Sequence, residues 1–495
     1  MSASLQPLKP ANFRHEQARH LLWRAGFGGS QAQVMTLVEW GLEKSVEHIV
    51  GYDNVEFESP AADLFDKDIM HPPSEEERKM YQSARRAGNE ELLAQARLER
   101  ERRERLDRSQ MAEVQKWWLR RMIETPRPLE EKLTIFWHGH FATSFRTIEN
   151  SYHMYLQNQL LRRHASGNFG ELLLAIIRDP AMIAYLDNND SRKGRPNENL
   201  ARELMELFSL GVGNYSEDDI KEGARALTGY TFVDDAFVFQ KQNHDNGVKN
   251  ILGKSGGFDG DGFVRIILEK RACAAFIARK LYSFFVADVP LTAKDADLEP
   301  AQRAVLRRLA ATLTSGRYEL KPFLKKLFLS EHFYEPRFIN QQVKSPIQLV
   351  VGAIRSLNTP ERDLSILNDA LDRMGQRIFF PPSVKGWDGG RSWINTSTYF
   401  VRQNIMAFLI AAKMPRGYDA LANEQPFDPL DLLEPQDKHR TTVVDAVLRI
   451  TLGHAPVHAK ETLESFLAAS DGDVNKANVT ALFLLATAMP EYQLC

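Results

Sequence analysis

The chain has 495 residues, enough for a large core in two or three subdomains, and its 43% hydrophobic and 26% charged content is that of a globular protein. Its 63 basic and 65 acidic residues give a formal charge of −2, which argues against a nucleic-acid-binding surface as its main business. Two cysteines, Cys273 in an apolar helical run and Cys495 at the end, exclude a disulfide framework and disfavour a thiolate metal site. Cys273 reads as a small buried hydrophobe. The N-terminal MSASLQPLKPANFRHEQ has no apolar h-region, and no run of about 18 apolar residues occurs anywhere. The expectation is therefore a cytoplasmic chain without a membrane span, or one exported in company with a signal-bearing partner.

Helical periodicity dominates from the start. Residues 14–50 predict two helices separated by the turn AGFGGS, with Ser30 capping the second. A loop over 54–75 leads into a long charged helical arm at 76–124. Its centre, RLERERRERLDR, sets Glu99–Arg103, Glu101–Arg105 and Glu104–Arg108 in the favourable i,i+4 order. Signs are balanced, so the arm reads as solvated rather than as a nucleic-acid patch. Trp117, Trp118 and Met122 return it to the core, and Pro126 and Pro128 stop it. Further helices are predicted near 129–137, 149–163, 168–178, 197–210, 217–228, 262–285, 298–315, 321–329, 343–357, 363–374, 397–413, 440–452, 457–468 and 473–488. Strand-like alternation is confined mainly to 228–240, around Asp234–Asp235. Residues 241–261 and 375–396 read as long glycine-rich loops. The predicted fold is all-α, a multi-helix, bundle-like globular array with long irregular loops and at most one small β-hairpin. Its expected divisions are N-terminal helices and loop at 1–75, the arm at 76–124, a core with the site at 125–415, and a C-terminal helical subdomain at 416–495.

The segment NENLARELMELFSLGVGNYSEDDIKEGARALTGYTF, residues 197–232, is the most informative. Leu200, Ala201, Leu204, Met205, Leu207 and Phe208 share one arc of a helix, and Glu198, Asn199, Arg202, Glu203 and Glu206 the other. Arg202 is spaced to bridge Glu198 and Glu206. Gly211 and Gly213 supply left-handed positions, and Ser216 caps a second helix opening with Glu217, Asp218 and Asp219. The polar face is either a solvated stripe or a set of carboxylates facing a cleft, and spacing alone leaves both open.

Trp137-His138-Gly139-His140-Phe141 is the second candidate. Two such imidazoles share a side on an extended segment but diverge by roughly 200° on a helix, and Gly139 makes a helix end plausible between them. They could ligate zinc, iron or manganese with added carboxylates, or simply pack among aromatics. Asn243-His244-Asp245 resembles the His–Asp pairs of some metal sites, but a two-residue match favours a simple turn. Asp259-Gly260-Asp261-Gly262 fails the calcium-loop pattern, because Phe263 and Lys270 fall where ligands are required. The stretch PPSVKGWDGG at 381–390, followed by SWIN, is a rigid aromatic loop that walls a pocket or plugs the core. No G-x-S-x-G elbow, Walker loop, H-E-x-x-H or C-x-x-C occurs, and no dinucleotide fingerprint follows a strand.

HLLWRAGFG at 20–28, FWHGHFATS at 136–144, NENLARELMELFSLGVGNY with ARALTGYTF, HDNGVKNILG, KSPIQLVVG and PPSVKGWDGG with SWINTSTYFVRQN occur in that order. Together they resemble the large bacterial family catalogued as domain of unknown function 1800, over about residues 14–413. The resemblance implies polar blocks at His138, His140, Asn197, Glu198, Arg202, Glu203 and Glu206. It also suggests a partner of the exported, alkaline-phosphatase-like class, and it names no reaction.

Two functions compete. One is a metal-dependent enzyme, hydrolytic or oxidative, using zinc, iron or manganese. His138, His140, Glu203 and Glu206 would be its ligands, Glu203, Glu206 and Arg202 its acid–base and orienting groups, and Asn197, Arg202 and Trp387 its substrate contacts. The Glu-x-x-His pairs of di-iron bundles are absent, which counts against oxidation. The other is a non-catalytic helical scaffold or maturation factor, with the polar face a structural ion-pair network.

Overall fold

Apolar residues at three- and four-residue spacing give twenty-one α-helices among the described residues, which are 5–58, 65–291, 295–415, 418, 427–470 and 472–495 of this computed structural model. The all-α expectation holds. The expected division at 415/416 abuts residues 416–417 and 419–426, which lie outside the described ones. No helix among the described residues is long and apolar enough to cross a membrane.

Where the expected elements differ, the cause is local. The charged stretch is two helices, Glu75–Ala87 and Glu90–Glu124, folded back on each other at Gly88 (φ 64°) and Asn89, whose side chain accepts from the Leu92 N–H. Of the three expected arm pairs Glu99–Arg103 forms at 3.0 Å, accompanied by Arg102–Glu99 and Arg100–Glu104. Likewise the predicted 262–285 helix is two, Gly260–Leu268 and Arg271–Phe285, broken at Lys270 (ψ 130°). Asp259 caps the first of these by accepting from the Gly262 N–H, which is the work of the FDGDG turn.

The hairpin around Asp234–Asp235 is present, pairing Tyr230–Val233 with Ala236–Phe239. A second, Lys249–Ile251 with Lys254–Gly256, lies inside the loop read as irregular and exceeds the single hairpin expected. Its turn is Leu252-Gly253 at φ 50° and 80°; two positive φ values match the twist of the strands. Leucine is an uncommon residue there, and Asp219 holds it by accepting from the Leu252 N–H at 2.6 Å.

Two hydrophobic cores lie side by side. One gathers the N-terminal helices with residues between 161 and 338, and the other gathers the base of the arm with residues from 347 to 492. The helix Pro128–His140 runs along their seam, sending Leu133, Phe136 and Trp137 into the first and Ile135 into the second. It is buried on nearly every face, charged residues included. That seam fixes what the two candidate histidines can do.

Candidate functional site

His138 and His140 both lie within the seam helix, which does not end at Gly139. Their side chains therefore diverge, as two residues along a helix must. His138 points into the second core, edge-on to Trp118 and tilted against Phe379 and Trp387. Its Nε2 accepts from the Phe379 backbone N–H at 3.0 Å. His140 points into the first core among Phe136, Phe141 and Phe208, and its Nε2 meets the Phe208 carbonyl at 3.0 Å as donor. Its Nδ1 is buried without a partner. Burial pushes His138 down to about 3 and His140 well below the usual range, so both rings are neutral near pH 7.

On the signature segment the helix Asn199–Glu206 buries Leu200, Ala201, Leu204 and Met205, and leaves its polar arc half-exposed. Gly211 and Gly213 take φ 81° and 86°, and Ser216 caps Glu217–Ala226 in a capping box with Asp219. Folding back at these glycines brings Glu217 against Arg202. The guanidinium grips both Glu217 oxygens at 2.9 Å and reaches Glu198 at 3.4 Å. The expected Arg202–Glu206 bridge is replaced, because a bidentate fork across the turn outcompetes a second pair along one helix. Glu206 instead accepts from the Tyr215 hydroxyl at 2.6 Å. Polar groups thus clasp the hairpin at two points.

Glu203 has no such partner in the clasp. Burial first, and Glu206 second, push its carboxyl up, with Arg202 opposing; Tyr185 feels its charge. Asn197 is spent on the turn that enters the helix: its amide donates to the Asp187 carbonyl at 3.1 Å and its oxygen accepts from the Asn199 N–H at 2.9 Å. His244 bonds to the Thr228 carbonyl and Asp245 pairs with Arg225, so that motif is a structural turn.

His138, His140, Glu203 and Glu206 are consequently not gathered around one point. Among the described residues no group of three or more His, Cys, Asp or Glu is arranged to hold a metal ion. The physical reason is the seam helix, which assigns each imidazole to a different core.

Trp387 stands where the aromatic loop meets the seam helix. Gly386 (φ 84°) packs so closely that an added Cβ would lie 2.1 Å from the Gly139 carbonyl oxygen, and the benzo edge of Trp387 covers Gly139. Phe379 is held in the left-handed region at φ 66°, rare for a bulky residue, by His138 on its N–H and by its carbonyl accepting from the Phe145 N–H at 2.9 Å. His138 is thus the acceptor that fixes this loop.

That role has a pH consequence. The folded ring titrates near 3 and the unfolded one near 6.5, so the unfolded chain binds the extra proton between those values. Stability from this group is full above pH 6.5 and is lost as pH falls toward 3. The urea midpoint is expected to drop more between pH 7 and pH 5 in the wild type than in His138→Gln. Equal drops would remove His138 from the acid response.

Missed in the sequence is a buried charge network at the foot of the arm. Glu131, fully buried, accepts from the Trp118 indole at 2.8 Å, from Arg162 through two nitrogens at 2.6 and 2.9 Å, and from Arg121. Glu130 pairs with Arg121 at 3.0 Å. Burial raises the Glu131 carboxyl, and Arg162 and Arg121 together more than reverse this. The network floors a cleft of about 600 Å³ lined also by Tyr52, Tyr155 and Ser166. The charged run Glu130-Glu131-Lys132 inside a largely apolar helix was the one signal for it.

These features define a mostly α-helical protein with two cores joined by one buried helix, and with its best-marked polar residues engaged in structural contacts. The sequence model of the family described as protein of unknown function, DUF1800, matches residues 20–494, and the chain belongs to that family. No curated protein and no solved structure matches it.

Proposed function

We propose that the protein is a non-catalytic helical scaffold or maturation factor that binds a partner protein through its charged arm. The observation that carries this reading is the arm itself. Glu75–Ala87 buries only Ala84, and Glu90–Glu124 buries nothing before Asp107. About 20 Å of paired helix therefore stands clear of both cores. It exposes Met80, Leu98 and Leu106 among its ion pairs. So much ordered, unburied helix contributes little to the core and suits contact with another chain. A partner of the exported, alkaline-phosphatase-like class is the one that the family resemblance suggests.

The arm can be removed cleanly, because its base is closed: Arg103 donates to the His71 carbonyl at 3.3 Å, and Gln110 accepts from the Asp66 N–H at 2.7 Å. Replacing residues 74–101 by a short Gly-Ser linker is expected to shift Tm by no more than about 2–4 °C. The same change is expected to abolish co-purification with a co-expressed partner of that class. Retained co-purification by the armless chain would overturn the proposal.

A second reading is favoured by one observation. Glu203 is half-buried with its carboxyl raised, beside Glu206 and within range of Tyr185, a setting suited to proton transfer. It supports acid–base chemistry, with Arg202 orienting Glu198 and Glu217 and Trp387 as one wall. Its metal-dependent form would require His138 and His140 to leave their cores.

A further inference from the structure

Between the turn after the seam helix and the aromatic loop lies a hollow of about 280 Å³, lined by Arg146, Tyr185, Asp372, Arg377, Phe380 and Trp387 among others. A second hollow of about 320 Å³ adjoins it and shares Arg146, Arg377 and Phe380. The first hollow alone is of the size that takes a ligand of one ring.

Its walls are rich in unused donors. Arg146 is exposed and has no ion pair or hydrogen bond among the described residues. The Tyr185 hydroxyl and the Trp387 indole N–H likewise make no hydrogen bond there. The Trp387 edge facing Gly139 is the benzo one, which leaves the N–H edge on the other side. Arg377 lies flat on Phe380, 3.7 Å from the ring centre, and pairs with Asp372 at 3.4 Å. In the first hollow two carboxylates bear on these groups, Asp372 through Arg377 and Glu203 through Tyr185, while Glu104, Asp107 and Glu149 line the second hollow beside Arg108. Against them stand two guanidinium groups, a phenol and an indole, all donors. The flat faces of Trp387, Phe380 and the Arg377 plane complete the surface. Its rigidity is built in, since Phe379 beside it is clamped at φ 66° by His138.

We infer that this hollow binds a small anionic ligand, a carboxylate or phosphate carried on a flat ring, with Arg146 gripping the anion and Trp387 and Phe380 sandwiching the ring. The inference is independent of the arm and its partner. Nothing in the sequence flagged Arg146, because its role depends on a loop more than two hundred residues away.

Phenyl phosphate and benzoate, with benzyl alcohol as the uncharged control, are the probes. Isothermal titration calorimetry on the full chain is expected to give saturable binding of at least one anion in the range of about 0.1–10 mM, and none of the alcohol. Whichever anion binds more tightly names the head group. Arg146→Ala, at an exposed position, is expected to keep the wild-type Tm and to weaken binding about tenfold or more. Trp387→Phe is expected to retain binding by calorimetry while losing the ligand-induced fluorescence change. No saturable binding of either anion up to about 10 mM, equal binding of benzyl alcohol, or unchanged affinity in Arg146→Ala would each overturn the inference.

Discussion

Glu131→Ala is expected to destabilise the protein by about 3–5 kcal/mol, the largest effect of any single change considered. The carboxylate is fully buried and receives donors from Trp118, Arg121 and Arg162. Removing it takes the shared carboxylate from two buried guanidinium groups and leaves Glu130, bound to Arg121 at 3.0 Å, as the remaining acid of the network. An unpaired buried charge is costly because nothing replaces the water it gave up. Equilibrium urea unfolding measures the loss, and Glu131→Gln separates charge from shape. It keeps the acceptor oxygen but not the charge, so it is expected to fall between wild type and alanine. A loss under about 1 kcal/mol for Glu131→Ala would mean that the network adds specificity rather than stability.

Gly386→Ala is the second large effect. The added methyl meets the Gly139 carbonyl oxygen at 2.1 Å while the backbone sits at φ 84°, so strain and overlap act together. About 2–5 kcal/mol is expected, from left-handed strain plus backbone overpacking. Gly194→Ala is the control: it has φ 83° with nothing within 4 Å of its Cβ, and so carries the strain alone. It is expected to cost about 1–2 kcal/mol. If the two variants unfolded at the same urea concentration, the loop would not be wedged against the seam helix as described. The consequence for the site is direct, since Trp387 and the Phe379 clamp depend on that wedge.

Much of the scaffold was legible because it is local. The Asn197–Phe232 hairpin follows from periodicity, two glycines and a Ser216 cap, and each is found where expected. The break at Gly88-Asn89 was also written in the sequence, yet strong helix formers on both sides masked it. Lys270 interrupts its helix with neither glycine nor proline, so no local signal marked that break. The site was less legible, because its outcome depends on distant neighbours. Spacing correctly made Arg202 a bridge but chose Glu206 over Glu217, whose approach depends on the path of the turn. Likewise the His-x-His block reads as a ligand pair only while Gly139 is taken to end the helix. The tertiary fact that one helix separates two cores decides the matter, and no pattern within five residues contains it.

The two readings of the polar residues part most sharply on metal. His138 fixes the Phe379 loop, Glu206 holds Tyr215, and the unpartnered His140 Nδ1 is sealed in the other core, so these groups do not meet on one ion. The measurement is metal content by elemental mass spectrometry, on the full chain purified without a chelating tag and incubated with zinc, iron or manganese before desalting. The expected result is less than about 0.1 metal ion per chain, unchanged in the double variant His138→Ala plus Glu206→Ala. A near-stoichiometric metal that the double variant loses while remaining folded would contradict it.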